Sequence, residues 1–290
     1  MQRIAIVGTG LIGTSVGLAL KAGGFRGVIF GWDASAADLA EALRLGAIDE
    51  ALSGPEAVLA PKLADIYVLA TPVMAVMHWM QRLAPVVVAG QLLTDVGSTK
   101  REIADLAGKL YNGPSQAAFL PGHPMAGKES GGAALADAAL FRGATWLFTP
   151  LDATATPLEA GWRTLVAGFG AHTLDLTPQR HDELCAWVSH LPQMLATALS
   201  ALLEETFADD AEGATALHSV GGRALREATR LGASPYSMWR DIALTNAEPI
   251  AATLHALEQQ LAHLRENLRT PELREEFAAA NRFRDETGER

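Results

Sequence analysis

The stretch MQRIAIVGTGLIGTSVGLALKAGG, Met1 to Gly24, decides the fold. Arg3 to Val7 is a short run rich in β-branched residues and reads as a strand; the apolar spacing after Gly10 is helical until Gly23 and Gly24 stop it. Between the two, Gly8, Gly10 and Gly13 form G-x-G-x-x-G. In that setting glycine permits a tight turn and brings backbone close to a pyrophosphate, whose charge meets the positive end of the helix dipole. The next strand, GVIFGWD, ends on Asp33, 20 positions after Gly13, where a carboxylate accepts hydrogen bonds from ribose hydroxyls. A carboxylate also repels a 2′-phosphate, and Ala34, Ser35, Ala36 and Ala37 offer no arginine to receive one. NAD is therefore expected rather than NADP.

Outward from this unit, DIYVLAT, QLLTDV, QAAFLPG, ATWLFTP and AHTLDL read as further strands separated by helical stretches. Such alternation predicts a Rossmann-type, doubly wound, mostly parallel α/β sheet. After Thr177 the sequence is helical in period and holds no good strand, so a boundary is placed near residue 176, with residues 1–176 nucleotide-binding and 177–290 all-helical. Ile250, Leu254, Leu257, Leu261, Leu264 and Leu268 follow a heptad spacing, which fits either a core helix or one shared across a homodimer.

Composition narrows the class. The chain of 290 residues is 49% hydrophobic, enough for a sizeable core, and no uninterrupted apolar run is long enough for a membrane span. A formal charge of −10 argues against a nucleic-acid surface. The single cysteine, Cys185, forms no internal disulfide, and the N-terminus lacks the basic and long apolar regions of a signal peptide. A cytoplasmic location is expected, as is the absence of an appended regulatory domain after Arg290.

The chemistry concentrates in LPGHPMAGKESGG, Leu120 to Gly132. His123 follows a strand on the side of the sheet where ligands of open α/β sheets collect, and an imidazole suits the removal of a carbinol proton during hydride transfer. Ser98 in TDVGSTK is placed to bond the same hydroxyl or to orient the imidazole, although Thr99 and Glu102 also form a T-x-x-E capping box beside it. Arg223, Arg226 and Arg230, at i, i+3 and i+7 of one helix face, form a cationic cluster that a protein of net negative charge would need to hold an anionic substrate. No metal site is expected.

The motifs VGTGLIGTS, ATPV, TDVGSTK, GHPMAGKES, SHLPQ, TRLGAS and MWRDI occur in an order and spacing that resembles the prephenate/arogenate dehydrogenase family of tyrosine biosynthesis. The resemblance implies an NAD(P)-binding domain joined to an all-helical domain that dimerises, and oxidative decarboxylation of a cyclohexadienyl acid. It makes His123 the acceptor for the substrate's 4-hydroxyl, Ser98 its companion, and Glu129 a pocket-lining carboxylate. It gives His190 a place on the substrate side, has Arg230 grip the ring carboxylate with Arg226 nearby, and lets Trp239 reach the neighbouring subunit's pocket. Gln193 stands where many prephenate-using members have histidine. The nucleotide contacts expected are Gly8, Gly10, Leu11, Ile12, Gly13, Asp33, Thr71, Pro72 and Asp95. Prephenate is the substrate expected, with arogenate the alternative. Two rivals are a β-hydroxyacid dehydrogenase, which would need a lysine absent after Lys128, and a nucleotide sensor without turnover.

Overall fold

The computed structural model describes residues 1–128, 130–152 and 154–286. Strands β1 (Arg3–Val7), β2 (Val28–Trp32), β3 (Glu50–Ala51), β4 (Ile66–Leu69), β5 (Leu92–Asp95) and β6 (Ala118–Leu120) are all parallel, in the spatial order β3-β2-β1-β4-β5-β6. Helices α1 (Leu11–Ala22), α2 (Ala36–Arg44), α3 (Pro55–Val58), α4 (Val73–Leu83) and α5 (Arg101–Leu110) connect them. This is the doubly wound order, which opens a crevice at the carboxyl ends of β1 and β4, where the strand order reverses. Ile4 and Ile6 pack into one layer with Val16 and Leu20, and Ala5 and Val7 into the opposite layer with Val76 and Met80. Because both faces are covered, the strands are apolar at nearly every position.

A second, three-stranded sheet departs from the expectation of one sheet. QAAFLPG splits at Pro121: β6 stays in the large sheet, while β7 (Gly122–Pro124) pairs antiparallel with β8 (Thr145–Phe148), itself parallel to β9 (His172–Asp175). Proline has no N–H for a ladder and fixes its own φ, so the strand breaks there and changes partners. Helix α6 (Pro157–Gly168), opened by a Thr156/Glu159 capping box, crosses from β8 to β9.

Beyond Thr177 come α7 (Pro178–Cys185), a π-helical turn at Ala186–His190, α8 (Leu191–Thr206), α9 (Ala211–Val220) and α10 (Gly222–Thr229). A 3-10 turn at Arg230–Ala233, α11 (Tyr236–Thr245), α12 (Ala247–Glu266) and α13 (Glu272–Glu286) follow. Pro192 has no N–H to give the preceding turn, a physical cause for the widening before it. The arginine helix ends at Thr229, so Arg230 opens a tighter turn rather than continuing the face of Arg223 and Arg226.

Carboxylates of the helical part cap helices of the sheet part. Neither α4 nor α5 has a side-chain cap of its own; Asp241 accepts from Met74 N (3.2 Å), and Asp182 accepts from Lys100 N (2.7 Å) and Arg101 N (2.9 Å). The orphan N–H groups and the positive end of each helix are thereby satisfied from across the chain. The Thr99/Glu102 capping box does not form, because Asp182 occupies that role and the Thr99 hydroxyl bonds Thr245 instead (2.7 Å). The heptad residues of α12 run from buried Ile250 to exposed Leu261, while Leu268 lies past the helix end.

Candidate active site

The glycine turn is built by sterics. Gly8 has φ +98° and its Cα approaches the Ala70 carbonyl so closely that a Cβ would lie 2.4 Å from that oxygen; at Gly13 a Cβ would lie 1.9 Å from the Gly8 oxygen. Only glycine fits either position. A Cβ on Gly10 would meet open space, and α1 begins there with no side-chain cap on its N–H groups. Asp33 is held against this turn, accepting from Thr9 N (2.6 Å) and Ser35 N (2.7 Å). The hydroxyls of Thr9 and Thr71 are buried with no hydrogen-bond partner among the described residues.

From this turn a cleft of about 360 Å³ runs along the strand ends. Gly10, Leu11, Ile12, Thr71, Pro72, Ser98 and His123 line it, together with Pro235, Met238 and Ile242 of the helical part. Nucleotide turn and histidine therefore share one cavity.

His123 sits in β7, which the Asp95 carboxylate helps to place by accepting from Gly122 N (3.2 Å). Its Nδ1 lies 2.9 Å from His181 Nε2, and His181 Nδ1 lies 2.8 Å from Asp182 Oδ1. All three side chains are buried. Burial first, then the neighbouring His181, Lys100 and His190, hold His123 well below the ordinary histidine pKa, so the free ring is a neutral base at physiological pH. Burial likewise lowers His181, against the opposing pull of Asp182. Ser98 lines the cleft beside His123, but the contact that orients the imidazole at Nδ1 comes from His181.

Asp95 is corrected by the structure from a nucleotide contact to an interior group. It is fully buried, ion-paired with equally buried Lys100, and accepts from Gly97 N (2.8 Å) as well as Gly122 N. A carboxylate so enclosed has no face left for a ribose.

The remaining expected residues divide. His190 is buried, and an Asn246 amide donates to its Nδ1 (3.1 Å), which leaves its Nε2 as the protonated nitrogen. Burial takes its pKa down to about 4. Trp239 stands edge-on to His190 within the same protomer, ring centroids 5.7 Å apart. Gln193 does not line the His123 cleft; its amide nitrogen donates to Leu231 O (2.8 Å) and Thr197 Oγ1 (3.1 Å), tying the Arg230 turn to α8. Arg226 is exposed and lines a separate groove with Glu204, Phe207 and His218 rather than the His123 cleft. Arg223 pairs with Glu227, so the three arginines do not converge. Arg230 begins the 3-10 turn, and Glu129 lies outside the described residues.

Sequence reasoning missed His181, Asp182 and Lys100. The only signal was the adjacent His-Asp pair at the start of α7, one helical turn before Cys185. His123, His181 and Cys185 bring two ring nitrogens and a sulfur within 4.8 Å of one another. The donor set suits hydrogen bonding better than a cation: the nitrogens are already bonded, burial pushes the thiol up to about 12, and the Lys100 ammonium acts on both rings.

Fold and cleft define a Rossmann-type nucleotide-binding unit joined to a helical unit, with a buried histidine where ligands of such sheets collect. The family model described as prephenate dehydrogenase, nucleotide-binding domain, matches residues 16–174, and the prephenate dehydrogenase dimerization domain matches residues 177–282. The chain belongs to the prephenate dehydrogenase family. It is 33% identical over 250 residues to prephenate dehydrogenase of Bacillus subtilis, a match covering 86% of this chain and 65% of that protein. The prephenate dehydrogenase of A. aeolicus, solved with hydroxyphenyl propionate and NAD+, superimposes with a TM-score of 0.87 at 29% identity, over 99% of this chain and 98% of that one. Synechocystis arogenate dehydrogenase gives 0.78 at 28% identity, over 99% and 100%. Among the described residues no helix is long and apolar enough to cross a membrane.

Proposed function

We propose that this chain is an NAD-dependent prephenate dehydrogenase, converting prephenate to 4-hydroxyphenylpyruvate and carbon dioxide. The observation that carries the reading is the placement of a neutral, buried His123 in the same cleft as the glycine turn. The turn fits a dinucleotide: Gly10 leaves a cradle that a Cβ would fill, the first N–H groups of α1 have no side-chain cap, and the Thr9 and Thr71 hydroxyls have no partner among the described residues. NAD supplies the hydride acceptor. Asp33, fixed on the turn, receives the ribose hydroxyls, and Gly8, Gly13, Leu11, Ile12, Thr71 and Pro72 shape the rest of the cradle.

The chain's own part is to hold the substrate, move one proton and exclude water. His123 takes the 4-hydroxyl proton as the ring C–H bond breaks and its electron pair leaves as hydride. The bond to the ring carboxylate then breaks, its electrons enter the ring, and the phenolate oxygen recovers the proton from His123. Ser98 bonds the same oxygen, and Arg230 holds a carboxylate. Residues 1–176 bind the nucleotide, and residues 177–290 carry the substrate wall and a homodimer interface. The family description of the second domain supports that interface, as do exposed Leu261, Phe277 and Phe283 on its last helices.

Prephenate and arogenate differ in one group, a keto oxygen against an ammonium. His190 Nε2 and Trp239 Nε1 are neighbouring buried donors with no partner among the described residues. Donors match a keto oxygen or carboxylate and repel an ammonium. The kcat/KM for prephenate is expected to exceed that for arogenate by roughly tenfold or more, the scale of leaving such donors unpaired. NADH formation with each acid at equal enzyme measures it. A tenfold preference for arogenate overturns the substrate, and no turnover of either overturns the activity.

Cofactor choice tests the turn separately. Wild type is expected to prefer NAD, and Asp33→Ser with Ala34→Arg should raise kcat/KM for NADP roughly tenfold while lowering that for NAD, because a repelling carboxylate gives way to a cation. A native preference for NADP would contradict the role of Asp33.

A further inference from the structure

We infer that His181 and Asp182, without touching substrate, are positioning residues that fix the proton of His123 on Nδ1 and leave its Nε2 bare as the acceptor for the cleft. The inference rests on His123 being the proton acceptor of the proposed reaction.

The argument starts at Asp182. Its two oxygens accept from Lys100 N and Arg101 N at the start of α5, so the carboxylate is anchored as an acceptor at a helix N-terminus, where negative charge is favoured. Its Oδ1 also lies 2.8 Å from His181 Nδ1, which must therefore carry a proton and donate. A neutral imidazole with a proton on Nδ1 has a lone pair on Nε2. That lone pair faces His123 Nδ1 at 2.9 Å, so His123 must donate from Nδ1. Its Nε2 is then bare, and His123 is the histidine that lines the cleft. One anchored carboxylate thus sets two tautomers in series, across an interface joining the sheet to the first helix of the helical part.

The geometry also limits the alternatives. The imidazoles are tilted by 53° with centroids 5.1 Å apart, a contact in which His123 Nδ1 meets His181 Nε2. The Cys185 sulfur lies farther off, 3.9 Å from His123 Nδ1 and 3.7 Å from His181 Nε2, and packs against the pair rather than replacing either partner. Burial, with a smaller opposing contribution from the Lys100 ammonium paired to Asp95, disfavours a positive charge on either ring and favours the neutral forms that the chain of tautomers requires. When the cleft delivers a proton to His123 Nε2, the existing Nδ1–H···Nε2 bond to His181 stabilises the imidazolium without any side chain having to move.

Three variants and one spectrum test this. His181→Phe fills the ring's space and removes the acceptor; kcat should fall roughly 10²-fold with KM for prephenate and NAD changed little, since the loss concerns a base and not a binding contact. His181→Gln restores an acceptor oxygen toward His123 and should recover roughly tenfold or more over His181→Phe, which a merely space-filling role would not produce. In protein labelled with 15N-histidine, His123, assigned by its loss in His123→Asn, should show a protonated Nδ1 and a bare Nε2. The spectrum needs no turnover, and it decides the matter if His181→Phe does not fold. A bare Nδ1 on wild-type His123, wild-type kcat in folded His181→Phe, or no rescue by His181→Gln overturns the inference. Full activity of His123→Asn would instead overturn His123 as proton acceptor, leaving the spectrum to report the tautomer on its own.

Discussion

His123→Asn is expected to lower kcat by roughly 10²–10⁴-fold, the range of a positioned general base, with NAD affinity nearly unchanged. The asparagine amide keeps a donor for His181 Nε2, so the hydrogen-bonded contact across the two parts of the chain persists while the proton-accepting Nε2 is lost. The glycine turn and Asp33 are untouched, which is why NAD titration should report an intact nucleotide site. A folded variant that produces NADH at the wild-type rate would remove His123 from the chemistry.

Lys100→Met should be the most destabilising single substitution near the site. Lys100 and Asp95 are both fully buried and bonded to each other, and Asp95 also holds Gly97 N and Gly122 N at the base of β7. Removing the ammonium leaves a carboxylate in the interior without its counter-charge, at a cost of about 3–5 kcal/mol. For a chain of this size that corresponds to a fall in Tm of roughly 5–8 °C. Adding Asp95→Asn to Lys100→Met should recover part of the loss, because it deletes the stranded charge. Thermal melts of the two variants decide it: a Tm within about 2 °C of wild type for Lys100→Met would mean the pair contributes nothing net.

The two substitutions separate chemistry from scaffold at one end of the sheet. His123 is a site whose change should spare the fold, whereas Lys100 is a scaffold residue whose change should spare nothing built on β7. That division was only partly legible in the sequence. TDVGSTK displays Ser98 and Lys100 two positions apart, and a lysine in such a stretch reads as a solvated charge, yet here the lysine is the interior residue and the serine the half-buried one.

What the sequence alone determined was local. The Gly8/Gly10/Gly13 turn, the strand before it and Asp33 after it follow from contiguous residues, because turn sterics, helix start signals and apolar periodicity act over a few positions. The same holds for the switch to helical period after Thr177 and for a histidine beyond a strand end. Tertiary structure decided everything that depends on which elements meet. His123 and His181 are 58 positions apart, Thr99 and Thr245 are 146 apart, and Met74 and Asp241 are 167 apart. No periodicity carries such pairings, so the capping box foreseen at Thr99 gave way to Asp182. Asp95 turned inward to Lys100, the Gln193 amide bonded Leu231 O, and Arg226 came to line a separate groove. A polar side chain becomes a base, a cap or a solvated charge according to what buries it, and burial is a property of packed elements rather than of any stretch of sequence.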